Sequence, residues 1–331
     1  MKTLPGRTGL VIRGTRNIFT VRFDDEGGGV YRECRIKGKV LKGVESYYNP
    51  LAPGDRVVVE TGEGSPPPAL ITGVLERRSI FARKNQKALG TNRAAAQILA
   101  ANADLVLAVT TPGSPPFRPR FLDRVLIQAE AAGIAAAIVC NKQDLLAGED
   151  TGTRLDVEER LEDFRRIGYP VLPVSAKTGA GMAGLLEFIR GRYSVLVGQS
   201  GVGKSSIINA LLPAAAARVG SLNEKYDRGN HTTTLAEIIE IPGTGDHPGE
   251  TLIIDTPGIR RFVPCGLEAG DLILYMREFA PLAGRCSYGL SCTHRTEPGC
   301  KILEAVAAGI IHEDRYDSFL RISEELAEGK D

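Results

Sequence analysis

The sequence lacks any run of about 18 consecutive apolar residues, the length that a membrane-spanning helix requires. It also lacks an apolar stretch near its start, where residues 1–7 contain Lys2, Pro5 and Arg7, so a secretory signal peptide is not indicated. We therefore expect no membrane association and a cytoplasmic location. Charged residues make up 24% and hydrophobic residues 43% of the 331 residues, which favours two or three soluble globular domains over a disordered chain.

The chain has almost no net charge, but the formal value of +1 conceals an asymmetry. Residues 1–90 contain 16 Lys or Arg against 9 Asp or Glu, and the remainder is correspondingly acidic. A basic N-terminal part suggests a polyanionic partner, although charge alone leaves a solvated basic face as an alternative.

Short β-forming segments alternate with turns in the first 75 residues. These segments are residues 9–13, 18–23, 31–36 and 55–60. Several short strands in so small a unit predict a β-barrel, and the basic surplus favours an OB-like barrel over other small barrels, which remain open.

Apolar strands alternate with helical patterns farther along the chain, which predicts a mainly parallel α/β sheet. The predicted strands are 105–110, 136–140, 171–175, 193–197, 235–241 and 252–254, and the predicted helices are 121–132, 157–167 and 204–212. From about residue 266 the pattern is helical and ends in an amphipathic helix at 314–328. We therefore predict three domains with bounds 1–75, 76–265 and 266–331.

Residues 198–205 match the phosphate-binding pattern GxxxxGK[ST], follow a predicted strand and open a helix. Backbone N–H groups and the helix N-terminus would hold phosphate oxygens, Lys204 would contact the β- and γ-phosphates, and Ser205 would ligate Mg²⁺. The expected nucleotide contacts here are Gly198, Gln199, Ser200, Gly201, Val202, Gly203, Lys204, Ser205 and Ser206.

Two further motifs follow strands and point to guanine. Asn141, Lys142 and Asp144 fit NKxD, in which the Asp carboxylate accepts hydrogen bonds from the guanine N1–H and amino groups, a pairing that adenine cannot reproduce. Ser175, Ala176 and Lys177 match the second guanine contact, in which the Ala N–H reaches the guanine carbonyl oxygen.

A fourth motif, Asp255-Thr256-Pro257-Gly258, ends the predicted strand 252–254. Asp255 would hold Mg²⁺ through water, and the Gly258 N–H would contact the γ-phosphate. Thr233, within Thr232–Thr234, would complete the Mg²⁺ shell, although threonine runs are also common in strands.

These motifs occur in a permuted order. In the familiar small GTPases the phosphate loop comes first, whereas here NKxD and SAK precede it, which indicates a circular permutation. The segment that follows Gly258 consequently leads into a Cys/His-rich region.

With these motifs in this order, the chain resembles the ribosome small-subunit-dependent GTPases, the RsgA or YjeQ family. Similar strings lie at residues 97–102, 224–229, 231–234, 281–286 and 297–300. The resemblance covers nearly the whole chain. It implies an OB barrel that binds ribosomal RNA, a permuted GTPase, a zinc domain and a role in late small-subunit maturation. We expect GTP hydrolysis that the subunit stimulates, and a monomeric protein.

Ile259 stands where many GTPases carry a Gln that positions the attacking water. The expected catalytic residues are therefore Lys204, Gly258 and His231, although His231 could equally pack or remain exposed in its loop.

Cys286, Cys292, His294 and Cys300 offer three thiolates and one imidazole, which suits a tetrahedral Zn²⁺ site. The first gap is one residue longer than in the usual family pattern. Reduced structural cysteines, or Cys265 in place of one ligand, are the alternatives.

Two rival functions remain at this level. The chain could be an RNA-binding module that holds nucleotide without turnover, which the missing Gln favours. It could also be a permuted GTPase that acts in RNA modification or on a protein partner.

Overall fold

The N-terminal strands form a closed five-stranded barrel. The computed structural model describes residues 6–15, 17–24, 30–38, 41, 44, 47–62, 68–85, 96–212, 235–242 and 250–328. The barrel strands are β1 (Arg7–Thr15), β2 (Ile18–Phe23), β3 (Tyr31–Ile36), β4 (Arg56–Thr61) and β5 (Ala69–Val74). Their order is β1-β2-β3-β5-β4, and β4 pairs with β1 to close the barrel around a core that includes Val11, Phe23 and Ile71. This arrangement confirms the predicted OB-like barrel.

An antiparallel pair of strands that the sequence did not predict follows the barrel. It consists of β6 (Ile80–Lys84) and β7 (Ala96–Ala101). Asn102, in the left-handed conformation, ends β7 and donates from its amide to the Gly54 carbonyl of the barrel at 2.8 Å. At the other side, Lys84 N–H donates to the Val263 carbonyl at 2.9 Å. The pair therefore connects the barrel with the segment that follows Gly258.

The nucleotide-binding half is an α/β sheet, as predicted. Its strands are β8 (Leu105–Thr110), β9 (Ala135–Cys140), β10 (Val171–Pro173), β11 (Tyr193–Gly198), β12 (Glu237–Glu240) and β13 (Leu252–Asp255). The order is β10-β9-β8-β11-β13-β12, and only β12 runs antiparallel to its neighbour. The strand predicted to reach residue 175 ends at Pro173, and the one predicted for 235–241 is shortened to Glu237–Glu240.

Four helices cover the two faces of this sheet: α1 (Pro119–Ala131), α2 (Thr151–Arg166), α3 (Met182–Ile189) and α4 (Lys204–Leu211). On one face, Leu122, Val125 and Ala129 of α1 present an apolar stripe to the core. Helix α2 begins six residues before its predicted start because Asp150 caps it, accepting from Thr153 N–H at 3.0 Å. Helix α3 was not predicted.

The barrel and the α/β sheet are joined edge to edge. Strand β1 pairs antiparallel with β12 at Arg13 and Glu237, which makes one sheet of 11 strands. Beside this pairing, the guanidinium of Arg22 binds Glu240 at 2.5 Å and Glu250 at 2.6 Å. Because Arg22 is largely buried, these ion pairs fix the orientation of the barrel more firmly than exposed pairs would.

The C-terminal region is less helical than the sequence indicated. Residues 266–300 contain only short 3₁₀ turns, and true α-helices are confined to α5 (Lys301–Ala307) and α6 (Glu313–Glu328). A separate apolar core holds this region together, with Met276, Phe279 and Phe319 among its members. No helix in the described part of the chain is long and apolar enough to cross a membrane.

A buried arginine fastens the C-terminal region to α1. Arg315 of α6 is 1% exposed; its guanidinium binds Asp123 of α1 at 2.7 Å and Glu278 at 2.6 and 3.0 Å. These two carboxylates raise the pKa of Arg315 although burial opposes the charge. One cation thus neutralises two buried anions from separate elements.

Replacing Arg315 tests the importance of this contact. We expect Arg315→Ala to lower the free energy of unfolding by about 3–5 kcal/mol, because Asp123 and Glu278 would remain buried without a counter-charge. Urea unfolding followed by circular dichroism measures the change. The control is Arg321→Ala in the same helix, whose exposed pair with Asp317 should contribute less than about 1 kcal/mol. Equal effects of the two substitutions would contradict the prediction.

Candidate functional site

The sequence motifs meet at one edge of the α/β sheet. Parallel strands β9, β10, β11 and β13 end at Cys140, Pro173, Gly198 and Asp255, immediately before or within the four motifs. The carboxyl ends of parallel strands form the ligand-binding edge of an open sheet. The motifs, although separated by more than 100 residues, therefore lie around one site.

The phosphate-binding loop turns from β11 into α4 over residues 199–203. Gly203 has φ +90°, and a Cβ there would lie 2.4 Å from the Asn141 amide nitrogen, so only glycine fits. Lys204 opens the helix and is largely buried; its ammonium donates to the Gly198 carbonyl at 3.0 Å. Burial lowers the pKa of Lys204, and the negative charge of Asp255 opposes that shift. The loop thus presents a cation within a cradle of backbone N–H groups.

The side chain of Asn141 joins three loops. It is 1% exposed, and its amide nitrogen donates to the Val202 carbonyl of the phosphate loop at 2.9 Å. Its oxygen accepts from the Ala176 N–H at 3.1 Å. Asn141 therefore fixes the distance between the phosphate-binding loop and both guanine motifs. Sequence reasoning assigned it only a role in its own loop, because the two acceptor and donor partners are 61 and 35 residues away.

The carboxylate of Asp144 is held in place by the second guanine motif. Ser175 Oγ donates to Asp144 Oδ1 at 2.6 Å, and the same hydroxyl accepts from Thr178 N–H at 3.2 Å. Lys177 is highly exposed, and its ammonium lies 4.0 Å from Asp144 Oδ2. Lys142 has φ +63°, and its ammonium donates to the Ser114 carbonyl at 2.8 Å. The contact with Ser114 was missed because no pattern marks that residue.

The segment after β13 lies directly against the phosphate loop. A Cβ on Gly258 would approach Ser200 Cα to 2.8 Å, and Ile259 N–H donates to the Gly198 carbonyl at 3.1 Å. Asp255 is fully buried at the strand end, and Thr256 Oγ donates to the Leu196 carbonyl at 2.6 Å. Movement of this segment would therefore be felt at once by the phosphate loop.

Ile259 is directed into the core rather than into the site. Its side chain is buried in the same apolar cluster as Phe262 and Phe121. The residue thus anchors the segment and has no polar group with which to orient water. The candidates His231, Thr232, Thr233 and Thr234 lie outside the described residues.

The structure brings the four zinc-ligand candidates together in the C-terminal region. Ligand atoms of Cys286, Cys292, His294 and Cys300 all lie within 4.8 Å of one another, and all four side chains are buried. The Cys286 and Cys300 sulfurs are 3.8 Å apart, and His294 Nδ1 lies 3.6 and 3.4 Å from them. Tetrahedral Zn–S and Zn–N bonds of about 2.3 and 2.0 Å give separations of about 3.8 and 3.5 Å. The arrangement therefore fits zinc, and the longer first gap does not prevent it.

Neighbouring groups support these ligands. Lys301 N–H donates to the Cys286 sulfur at 3.3 Å, which would stabilise a thiolate. Burial raises the pKa of Cys292 to about 12 and lowers the pKa of His294. Cys265, the alternative ligand, is not part of the cluster, and its N–H donates to the Gln128 side chain instead.

Comparison with known proteins places these features in context. A family model described as RsgA GTPase matches residues 74–263. The chain is 38% identical over 324 residues to the small ribosomal subunit biogenesis GTPase RsgA 2 of Bacteroides thetaiotaomicron, covering 97% of this chain and 98% of that protein. It is 36% identical to the corresponding RsgA of Chlorobaculum tepidum, with the same coverage.

Two solved structures share the fold. The YjeQ protein from Thermotoga maritima superposes with a TM-score of 0.69 at 28% identity, covering 97% of this chain and 98% of that one. A structure titled as YloQ, a circularly permuted GTPase, superposes with a TM-score of 0.66 at 23% identity, covering 98% and 96%. The permuted connectivity inferred from motif order is thus also a property of a solved fold.

Zinc binding should depend on pH in a defined direction. We expect about one Zn²⁺ per chain, with an affinity that falls as pH is lowered from 8 to 6, because a raised thiol pKa keeps protons on the ligands that the metal must displace. Elemental analysis and competition with a chromophoric chelator measure content and affinity. Cys286→Ala or Cys300→Ala should lose the metal, whereas Cys265→Ala should retain it. Loss of zinc from Cys265→Ala alone would contradict the assignment.

Proposed function

This chain belongs to the RsgA GTPase family, and we propose that it hydrolyses GTP to GDP and phosphate in the service of small ribosomal subunit maturation. The observation that carries the nucleotide part is the side chain of Asn141, which ties base-reading and phosphate-binding loops into one site. The biological part rests on relatives named as small ribosomal subunit biogenesis GTPases, which match nearly the whole chain.

Guanine recognition belongs to the loops after β9 and β10. Asp144 accepts from the N1–H and amino group of guanine, and the hydroxyl of Ser175 holds its carboxylate in the required orientation. Ala176 N–H meets the guanine carbonyl oxygen, and Lys142 and Lys177 flank the base. Adenine would leave the Asp144 carboxylate without its two donors, which disfavours that base.

Phosphate binding belongs to residues 198–206. The N–H groups of the loop and of the first turn of α4 enclose the phosphate oxygens, and Lys204 exchanges its bond to the Gly198 carbonyl for bonds to the β- and γ-phosphates. Ser205, Asp255 and Thr233 would hold Mg²⁺, which when bound neutralises charge on the phosphates. Asp255 suits this task because it is buried at the end of β13, beside the phosphate loop.

Hydrolysis requires a positioned water, and the described part of the site supplies only some of the groups. Gly258 N–H contacts the γ-phosphate, and Lys204 stabilises the charge that develops on it. Ile259 is fixed in the core and cannot orient water. We assign that task to His231, whose loop becomes ordered when the protein docks on its partner. This arrangement accounts for slow intrinsic turnover that the partner accelerates.

The partner is the small ribosomal subunit, and the barrel meets its RNA. We divide the chain into a barrel at 1–75, a GTPase at 76–265 and a zinc domain at 266–331. Arg35 on β3 is exposed and has no ion-pair partner in the described part of the barrel, which suits a phosphate contact. We place the protein in the cytoplasm, and we propose that it acts as a monomer.

Base specificity can be inverted by one substitution. Asp144→Asn should weaken GTP binding by about 10- to 100-fold and favour xanthosine triphosphate, because the donor and acceptor pattern at the base edge is exchanged. Nucleotide affinities measured by fluorescence titration decide this. Gln143→Asn, at the unassigned position of the same loop, is the matched control and should keep guanine preference. Unchanged GTP affinity in Asp144→Asn would remove the assignment.

Stimulation by the subunit is the central test of the biological proposal. Multiple-turnover phosphate release should be slow for the protein alone and should rise at least tenfold with purified small subunits at low salt. The stimulation should fall steeply as salt increases, since phosphate contacts dominate RNA affinity. Large subunits serve as the control, and Lys204→Ala should abolish turnover. A rate that small subunits leave unchanged would leave only the GTPase assignment, and absent turnover would favour a nucleotide-holding RNA-binding module.

A further inference from the structure

A cavity rich in arginine lies beside the phosphate loop and outside the nucleotide site described above. It has a volume of about 450 Å³ and is bounded by the start of α1, the segment after Gly258 and the start of α6. It shares Gln199 with the phosphate loop and is lined by Arg260, Arg261 and Phe262 from the segment that follows Ile259. The assigned nucleotide contacts leave this cavity without a role.

The charge of the lining is strongly positive. Among the described residues, the lining contains five arginines and one carboxylate, Asp314. The arginines are Arg118, Arg120, Arg124, Arg260 and Arg261.

Three of these arginines are already paired with acidic residues of α6. Arg124 binds Glu325 through two bonds of 2.7 and 2.8 Å, and Arg261 lies 3.5 Å from the same carboxylate. Arg120 pairs with Asp317. These pairs fix the wall of the cavity and partly neutralise it.

The other two arginines are unpaired. Arg118 and Arg260 are exposed, come from different elements, and have no ion-pair partner in the part of the chain that the structure describes. Two free guanidiniums at the mouth of one cavity offer paired donors to anionic oxygens, and guanidinium geometry suits phosphate.

The remaining lining favours stacking over base reading. Phe117 is half-buried, and Phe121 and Phe262 form an edge-to-face pair, with ring centroids 6.4 Å apart. Apart from the arginines and Asp314, the polar side chain available is Gln199, so no set of buried donors and acceptors could discriminate one base from another. Phosphate contacts combined with an aromatic surface are the chemistry of sequence-independent binding to single-stranded RNA.

We propose that this cavity receives the phosphate backbone of a single-stranded RNA segment, held by Arg118 and Arg260 at its mouth. The inference rests on the proposed function, because the small ribosomal subunit would supply the RNA. Its position adds a consequence. RNA seated against Arg260 restrains the segment whose Ile259 N–H is bonded to the Gly198 carbonyl, so RNA contact reaches the phosphate loop through two adjacent residues.

The test compares salt dependence of RNA binding for matched variants. The full-length protein, saturated with a non-hydrolysable GTP analogue to fill the nucleotide site, is titrated with a short fluorescent single-stranded RNA and, separately, with purified small subunits. The variants are Arg118→Ala/Arg260→Ala and the charge-preserving Arg118→Lys/Arg260→Lys. Arg165→Ala on α2, an exposed arginine paired only with Glu162, is the control.

We expect the double Ala variant to bind the short RNA more weakly, with a slope of log affinity against log salt that is smaller in magnitude by about 2, one for each lost phosphate contact. The double Lys variant and Arg165→Ala should retain the wild-type slope. A slope unchanged in the double Ala variant, or no binding of the short RNA by the wild-type protein, overturns the inference. So does a second equivalent of free mononucleotide in equilibrium dialysis that the double Ala variant loses, because the ligand would then be a soluble nucleotide.

The two proposals fail separately. If small subunits stimulate the wild-type protein but the double Ala variant binds short RNA with the wild-type slope, the proposed function stands and the cavity does not bind RNA. If RNA binding depends on the two arginines but small subunits neither bind nor stimulate the protein, the cavity inference stands and the ribosomal role fails.

Discussion

The geometry of the nucleotide site depends on one buried amide. Asn141 spends its donor on the phosphate loop and its acceptor on the loop that contains Ala176, so the separation between base pocket and phosphate cradle is set by two hydrogen bonds. Gly203 lacks a side chain because the amide occupies that space. A buried amide that loses a partner is costly, which makes this arrangement either complete or absent. The reordered chain keeps this contact although its two sides are connected differently.

Two attachments surround that site and use different chemistry. On one side, backbone pairing between β1 and β12 and the ion pairs of Arg22 hold the barrel against the strand that precedes β13. On the other, the buried Arg315 joins α1 to the C-terminal region. Both attachments are rigid, and both end on elements next to the phosphate loop. A change in the segment after Asp255 is therefore transmitted toward RNA-binding and zinc-binding parts alike.

Sequence patterns predicted what local chemistry determines. The strand Leu105–Thr110 is uniformly apolar and β-forming, and the motif residues were placed at strand ends before any coordinates were considered. Strand Ala96–Ala101 escaped because its alanines carry little β propensity and its pairing with β6 stabilises it. The joining of β1 to β12 depends on one residue pair more than 200 positions apart, Arg13 and Glu237, and no local pattern encodes it.

The permuted order of strands also fixes the order in which the site can be built during synthesis. Strand β8 emerges first, yet one of its two neighbours is β11, which begins 83 residues after β8 ends. At about 5–20 residues per second, that edge waits roughly 4–17 seconds without its partner. An uncovered apolar strand edge is a site for wrong pairing. The nascent chain therefore completes its base pocket before it owns a phosphate loop, and it cannot hold nucleotide until β11 closes the gap.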